Sequence, residues 1–275
     1  MRTRQAGQAA VVTLLLWFPL GCQGPEAEAS SRAASAVVNE PVEPPAQDPA
    51  DTEVWEPEPE VVSPGGDGSP PGDAIRLFDG TDLSSWTQED GSSAGWQVAG
   101  GAMTVMPGTG SIQTRQEFGD VQLHIEWRTP AEVSGEGQGR GNSGVFLMGR
   151  YELQVLDSYE NRTYSNGQAG SVYKQHIPMV NASRGPGLWQ SYDVAFVAPR
   201  FSAEGTLLSP AYMTVFHNGV LILNHVELEG PTVFIGEPAY EAHGDRGPIL
   251  LQDHSNPVSF RNIWVREITR IDAGE

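Results

Sequence analysis

The chain has 275 residues, and its 35 Asp and Glu against 16 Lys and Arg give a formal net charge of −19. That balance argues against a nucleic-acid partner, which needs a basic surface, while 32 Gly and 21 Pro leave room for many turns and few long helices. With one cysteine, Cys22, and one lysine, Lys174, the chain has no intrachain disulfide, no multi-cysteine zinc site, no iron–sulfur cluster and no P-loop.

Arg2 and Arg4 precede the apolar run 11–20, which Gly21-Cys22 follows. A charged start and a short apolar run read as a secretory signal, and the run is short for a membrane span. The lone cysteine just after it resembles a bacterial lipoprotein site, with lipid attached at Cys22 after cleavage. The expected location is the cell envelope, with the membrane met only through that lipid. The alternative is plain secretion, with cleavage after Ala27-Glu28-Ala29. Residues 23–73 hold ten prolines, twelve acids and one base, Arg32. So few large apolar side chains cannot bury a core, and the segment reads as an extended acidic linker. The leader carries +2 and the linker −11, which leaves −10 on residues 74–275.

From Ile75 onward the apolar residues recur at every second position. Val121, Leu123, Ile125 and Trp127 alternate with Gln122, His124, Glu126 and Arg128, as in an antiparallel strand with one buried face. Segments 144–148, 151–156, 192–197, 213–216, 220–224, 249–251 and 258–267 read the same way. Asn218-Gly219 joins two of them as a type I′ hairpin. No stretch keeps helical spacing over three turns, so residues 74–272 are expected to form one all-β sandwich. The long polar loops 129–141 and 161–168 are expected beside a site.

Four clusters could carry chemistry. In Tyr151-Glu152-Leu153-Gln154-Val155-Leu156-Asp157, parity puts Glu152 and Gln154 on one face if Leu153 and Val155 pack inward. That face could bind sugar hydroxyls or simply be solvated. In Leu250-Leu251-Gln252-Asp253-His254, Gln252 and His254 share a face. His124, His176, His217 and His225 read as structural. Gly141-Asn142-Ser143-Gly144 could present Asn142 to a ligand or merely turn the chain. Arg261 could pair with a carboxylate such as Glu152, as a ligand group or as a structural ion pair. A retaining glycosidase needs two carboxyl groups about 5–5.5 Å apart. Asp157 sits at odd spacing from Glu152 and faces away unless a bulge re-aims it.

Leu77-Phe78-Asp79-Gly80 with Leu83 and Trp86, then GNSGVFLMGRYELQVLDSYEN, LWQSYDVAF, HNGVLILNH, EAHGDRGPILLQDH and FRNIWVREI, together resemble the 3-keto-disaccharide hydrolase family (3-keto-glucoside-1,2-lyase/3-keto-2-hydroxy-glucal hydratase) over nearly all of 74–270. The resemblance implies a concanavalin-like jelly-roll sandwich of two antiparallel sheets. It also implies cleavage of glycosides that a separate sugar 3-oxidoreductase has oxidised at C3. Such chemistry needs a base for the C2 proton, a stabiliser of enolate charge and an acid for the leaving oxygen. By residue type Glu152 or His254 is the base, and Gln154, Gln252 and Asn142 hold hydroxyls or the carbonyl oxygen. Arg261 orients Glu152 or stabilises the enolate, and Asp157, His243 and Tyr173 stand in reserve for substrate. A divalent metal polarising the ketone would find ligands in His254, Glu152 and Asp157, although no spacing specifies one. The competing readings are a non-catalytic carbohydrate-binding module and a docking domain. They part from the enzyme on whether Glu152, His254 and Arg261 converge in one pocket.

Overall fold

The computed structural model describes residues 48–66 and 69–269. The signal segment and Cys22 lie outside the described residues. Residues 48–53 belong to one unit of the chain and residues from Val54 onward to a second. In the first, Pro49–Thr52 forms a 3-10 turn capped by Asp48, which accepts from the Ala50 N–H at 3.1 Å; none of its residues is buried.

The second unit is built from strands, and among the described residues there is no α-helix. In chain order they are β1 (Ile75–Phe78), β2 (Trp86–Gln88), β3 (Gln97–Ala99), β4 (Ala102–Thr104), β5 (Ile112–Phe118), β6 (Val121–Arg128), β7 (Ser143–Leu147) and β8 (Tyr151–Val155). There follow β9 (Gln190–Val197), β10 (Arg200–Phe201), β11 (Leu207–Ser209), β12 (Tyr212–His217), β13 (Val220–Glu227), β14 (Gly247–Leu251) and β15 (Ser259–Glu267). One antiparallel sheet runs β13-β12-β9-β6-β15-β4-β3, with β1 also pairing β15; the other runs β2-β5-β14-β7-β8. β10 and β11 form a separate ribbon. The result is a sandwich of two antiparallel sheets.

Alternation explains the layering. On β6 the side chains Val121, Leu123, Ile125 and Trp127 are buried while their neighbours are half-exposed. Trp86, Trp127, Tyr151, Tyr192, Phe118, Phe196 and Phe260 are fully buried and fill the space between the sheets. Asn218 and Gly219 both take left-handed φ, 52° and 79°, as a type I′ turn between β12 and β13 requires.

Two details depart from the sequence reading. β9 begins at Gln190, two residues earlier than its apolar pattern, because a buried hydrogen bond carries that end. His217 Nε2 meets Gln190 Oε1 at 2.8 Å, and the same oxygen accepts from the Arg184 N–H at 2.9 Å. His217 itself is buried against Trp127, and burial, helped by the Arg184 charge, pushes its pKa down to about 4. It is a neutral core residue, in keeping with the structural reading of it. At the other departure, Asp73, the last position of the expected linker, pairs with Arg266 at 2.7 Å beside β1.

Candidate active site

The site is built on the outward face of the smaller sheet, around β7 and β8. Tyr151, Leu153 and Val155 enter the core, so Glu152 and Gln154 point the other way. Pairing then sets two rows across that face. Leu250, Phe146 and Glu152 are cross-strand neighbours on β14, β7 and β8. Gly144 pairs with Gln154, and the Gln252 N–H donates to the Gly144 carbonyl at 3.0 Å. These rows form the floor of a cleft of about 540 Å³.

Gly144 is what makes room. A Cβ there would lie 2.6 Å from Glu152 Oε1 and 2.7 Å from Phe146 Cε2. The carboxyl group occupies the space that any other side chain would fill.

The two long loops flagged in the sequence flank the cleft. Asn161 ties them together: its Oδ1 accepts from the Gly137 N–H at 2.8 Å and its Nδ2 donates to the Gly137 carbonyl at 3.0 Å. Gln138 then lies over Gln154, and Tyr164 stands beside Tyr173, hydroxyl to hydroxyl at 2.5 Å. A third loop, between β13 and β14, adds Thr232 and Phe234. Thr232 Oγ1 accepts from the Glu152 N–H at 3.0 Å. These loops explain why β8 is buried along its whole length rather than polar and solvated on one face. Aromatic walls with a few convergent polar groups suit a sugar-sized ligand.

The electrostatics centre on Glu152, which is 5% exposed. Burial pushes its carboxyl up to about 8, so it holds its proton far above the ordinary carboxylate range. No Lys or Arg among the described residues lines the cleft to offset that. Tyr173 is also raised, by burial first, then by its bond to Tyr164 and by Glu152. Burial thus favours the protonated form of both groups. Gln252 Oε1 is buried without a hydrogen-bond partner among the described residues.

Of the side chains singled out in the sequence, Asn142, Glu152, Gln154, Tyr173, Gln252 and His254 share this cleft. His254 sits at its exposed mouth. Three do not share it. Arg261 is on the other sheet, where its Nε donates to Glu126 Oε2 at 2.6 Å and its guanidinium lies 4.2 Å over Trp189. The reading that it orients Glu152 is corrected: pairing with β6 sets Arg261 opposite Glu126. Asp157 accepts from Arg140 Nε at 2.7 Å and borders a separate groove of about 310 Å³. It is turned away from Glu152, which leaves one carboxyl group in the cleft. His243 bonds the Tyr151 hydroxyl through Nε2 at 2.8 Å, packs on Phe201 and borders a different depression. With Asp157 held by Arg140, the trio His254, Glu152 and Asp157 does not gather as a ligand set, and no group of three such side chains occurs among the described residues.

Gln138, Phe146, Tyr164, Thr232 and Phe234 were not anticipated. Phe146 was legible from parity with Gly144. Gln138 and Tyr164 lie in loops already marked, and Thr232 and Phe234 carried no local signal. One expected result follows from the correction. Arg261→Ala should leave turnover within about twofold of wild type and cost no more than about 1 kcal/mol, as for a partly exposed ion pair. Steady-state kinetics and denaturant unfolding check both.

The 3-keto-alpha-glucoside-1,2-lyase-like domain matches residues 73–266. The chain belongs to that family. Its fold also matches, at TM-score 0.78 and 49% identity, the crystal structure of a candidate glycosyl hydrolase from Parabacteroides distasonis, over 83% of this chain and all of that one. A second candidate glycosyl hydrolase from the same organism matches at TM-score 0.53 and 20% identity, over 71% of this chain and 94% of that one, and shares the fold. Among curated proteins none matches. The family and the nearer structure make this a carbohydrate-active protein.

Proposed function

We propose that the protein cleaves glycosides already oxidised at C3, with Glu152 as the base. The observation that carries this reading is a single buried carboxyl group, raised to about 8, on the floor of an aromatic-walled cleft. A ketone at C3 acidifies the C2 hydrogen. Glu152 takes that proton, and the C–H electron pair forms the enolate. The enolate collapses to a C1–C2 double bond as the O1 leaving group departs with its electron pair, and that oxygen receives a proton. Water then adds across the double bond, with hydroxide equivalent to C1 and a proton to C2. Each step needs one base and well-placed donors rather than two carboxylates.

The remaining residues fall into supporting roles. Gln252, whose Oε1 has no partner among the described residues, accepts from a sugar hydroxyl. Tyr173, held protonated and hydrogen-bonded to Tyr164, supplies the proton for the leaving oxygen. His254 at the mouth handles the water of the second step. Substrate must come from a separate sugar 3-oxidoreductase. Lipid attachment at Cys22 would hold the protein in the cell envelope, near glycans released outside the cell.

The pH–rate profile on a 3-keto-glucoside tests the role of Glu152. A base is active when ionised, so kcat/KM should rise about tenfold per pH unit and level off above about 8. A profile that falls through that pH would make Glu152 the acid and reject the assignment.

A further inference from the structure

We infer that Lys174 is a positioning residue of this site, a clasp that fixes Phe234 and with it one wall of the cleft. Its kinetic meaning rests on the cleft being where the proposed cleavage occurs; the clasp itself does not. Lys174 is the one lysine in a chain whose other basic side chains are arginine and histidine. Its Nζ donates to the Phe234 carbonyl at 2.5 Å. The ammonium also lies 4.4 Å from the centre of the Phe234 ring and 5.7 Å from that of Tyr173. Both rings attract a cation placed over them. Phe234 and Tyr173 line the cleft, whereas Lys174 lines a neighbouring cavity of about 410 Å³ that shares Tyr164 and Tyr173 with it. Lys174 therefore acts on the cleft through these rings and not on the substrate.

Burial cannot hold this wall in place. Phe234 is 70% exposed and Ile235 is 84% exposed, so the tip of the loop between β13 and β14 has little packing. Three successive side chains catch that loop instead. His176 Nε2 meets the Glu227 carbonyl at 2.6 Å. Gln175 Oε1 accepts from the Glu229 N–H at 2.8 Å, and its Nε2 donates to the Gly230 carbonyl at 3.0 Å. Lys174 then takes Phe234. Thr232 is held apart from these, by Arg150 and Glu152. The base of the loop thus keeps its own ties, and Lys174 is the tie at the ring that faces the cleft.

The backbone supports the same reading. Lys174 has a φ of 61°, in the left-handed region that L-residues avoid and glycine enters freely. Its N–H donates to the Asn166 carbonyl at 2.8 Å, and its own carbonyl accepts from Asn166 Nδ2 at 3.2 Å. These bonds tie it to one of the two loops that flank the cleft and hold it in that conformation. A long cationic side chain at such a position is accounted for when the side chain is needed there. Lys174 joins that loop, the Tyr173 wall and the Phe234 wall in one residue.

A single lysine makes a single reporter. In full-length protein carrying lysine labelled with 13C at Cε, the one signal belongs to Lys174. Ring currents should place its Hε protons upfield of free lysine, and Phe234→Ala should move them back towards that position. Hε protons at the free-lysine position in the wild-type protein overturn the inference, with no substrate and no variant of Lys174 involved. Kinetics on a 3-keto-glucoside then read the consequence. Lys174→Met should raise KM roughly tenfold, because binding must now order the wall, and leave kcat within about twofold. Phe234→Ala should do the same, and the double variant should be no worse than either single one. Lys174→Arg, which keeps a charged donor, should stay near wild type. Additive losses in the double variant, or a fall in kcat with KM unchanged, overturn the inference. Inactivity of the wild-type protein towards 3-keto-glucosides would remove the proposed function, and the clasp would still stand or fall on the lysine signal.

Discussion

Glu152→Gln should lower turnover of a 3-keto-glucoside by about 10²–10⁴-fold and, at neutral pH, make the protein more stable. The first half follows from removing the base while keeping the shape of the side chain. The second follows from linkage. The folded-state pKa of Glu152 is raised from 4.5 to about 8, so between those values the folded protein holds a proton that the unfolded chain has released. The contribution of this group is fully present below about 4.5 and is lost as pH rises through about 8. Near pH 7 the cost of keeping the acid is on the order of 3 kcal/mol, and the neutral amide avoids it. Urea unfolding at several pH values should show a wild-type stability that declines across this window and a variant that stays flat and higher. Parallel curves for the two proteins would mean that Glu152 titrates as an ordinary surface acid, and its catalytic role would go with it.

The other large effect is expected at Gly144. The added methyl of Gly144→Ala would fall within 3 Å of the Glu152 carboxyl oxygen and the Phe146 ring. One of them must move into the cleft that both line, and either movement disturbs the carboxyl group. A displacement of about 1 Å at the reacting group costs on the order of 10²-fold in kcat. The accompanying loss of stability should be about 1–3 kcal/mol, as for other overpacked sites. The informative comparison is Gly144→Ala in the Glu152→Gln background. The stability cost should persist there, since the amide has the same shape. A kcat for Gly144→Ala equal to wild type would show that the carboxyl group does not rest on that floor.

How far the sequence reveals this site depends on the range of the interactions that build it. The period-two pattern of β6 is local, and it suffices for a sandwich. Glu152 and Gln154 share a face by parity alone, and the turns before β7 and after β14 bring Asn142, Gln252 and His254 to that face. Arg261 fails for a physical reason. Its partner Glu126 is 135 residues away, and a bulge in β15, where Asn262 takes a φ of 46°, decides how those strands register. Parity within one strand says nothing about which sheet the strand joins. Thr232 and Phe234 are hidden in the same way. Their loop reaches the cleft through long-range bonds, from the Thr232 N–H to the Arg150 carbonyl at 2.9 Å and from Lys174 Nζ to the Phe234 carbonyl at 2.5 Å. The raised pKa of Glu152 was equally out of reach, since the three loops that bury it come from distant parts of the chain.

The central claim is that the glycosidic bond breaks by elimination next to a ketone. The most direct measurement is a reaction in D₂O, followed by NMR, of a 3-keto-glucoside beside its unoxidised parent. Elimination followed by hydration predicts release of the aglycone from the ketone alone, with a solvent deuteron at C2 of the sugar product. Cleavage of both compounds at similar rates, with the C2 hydrogen retained, would contradict the account and require direct displacement at C1.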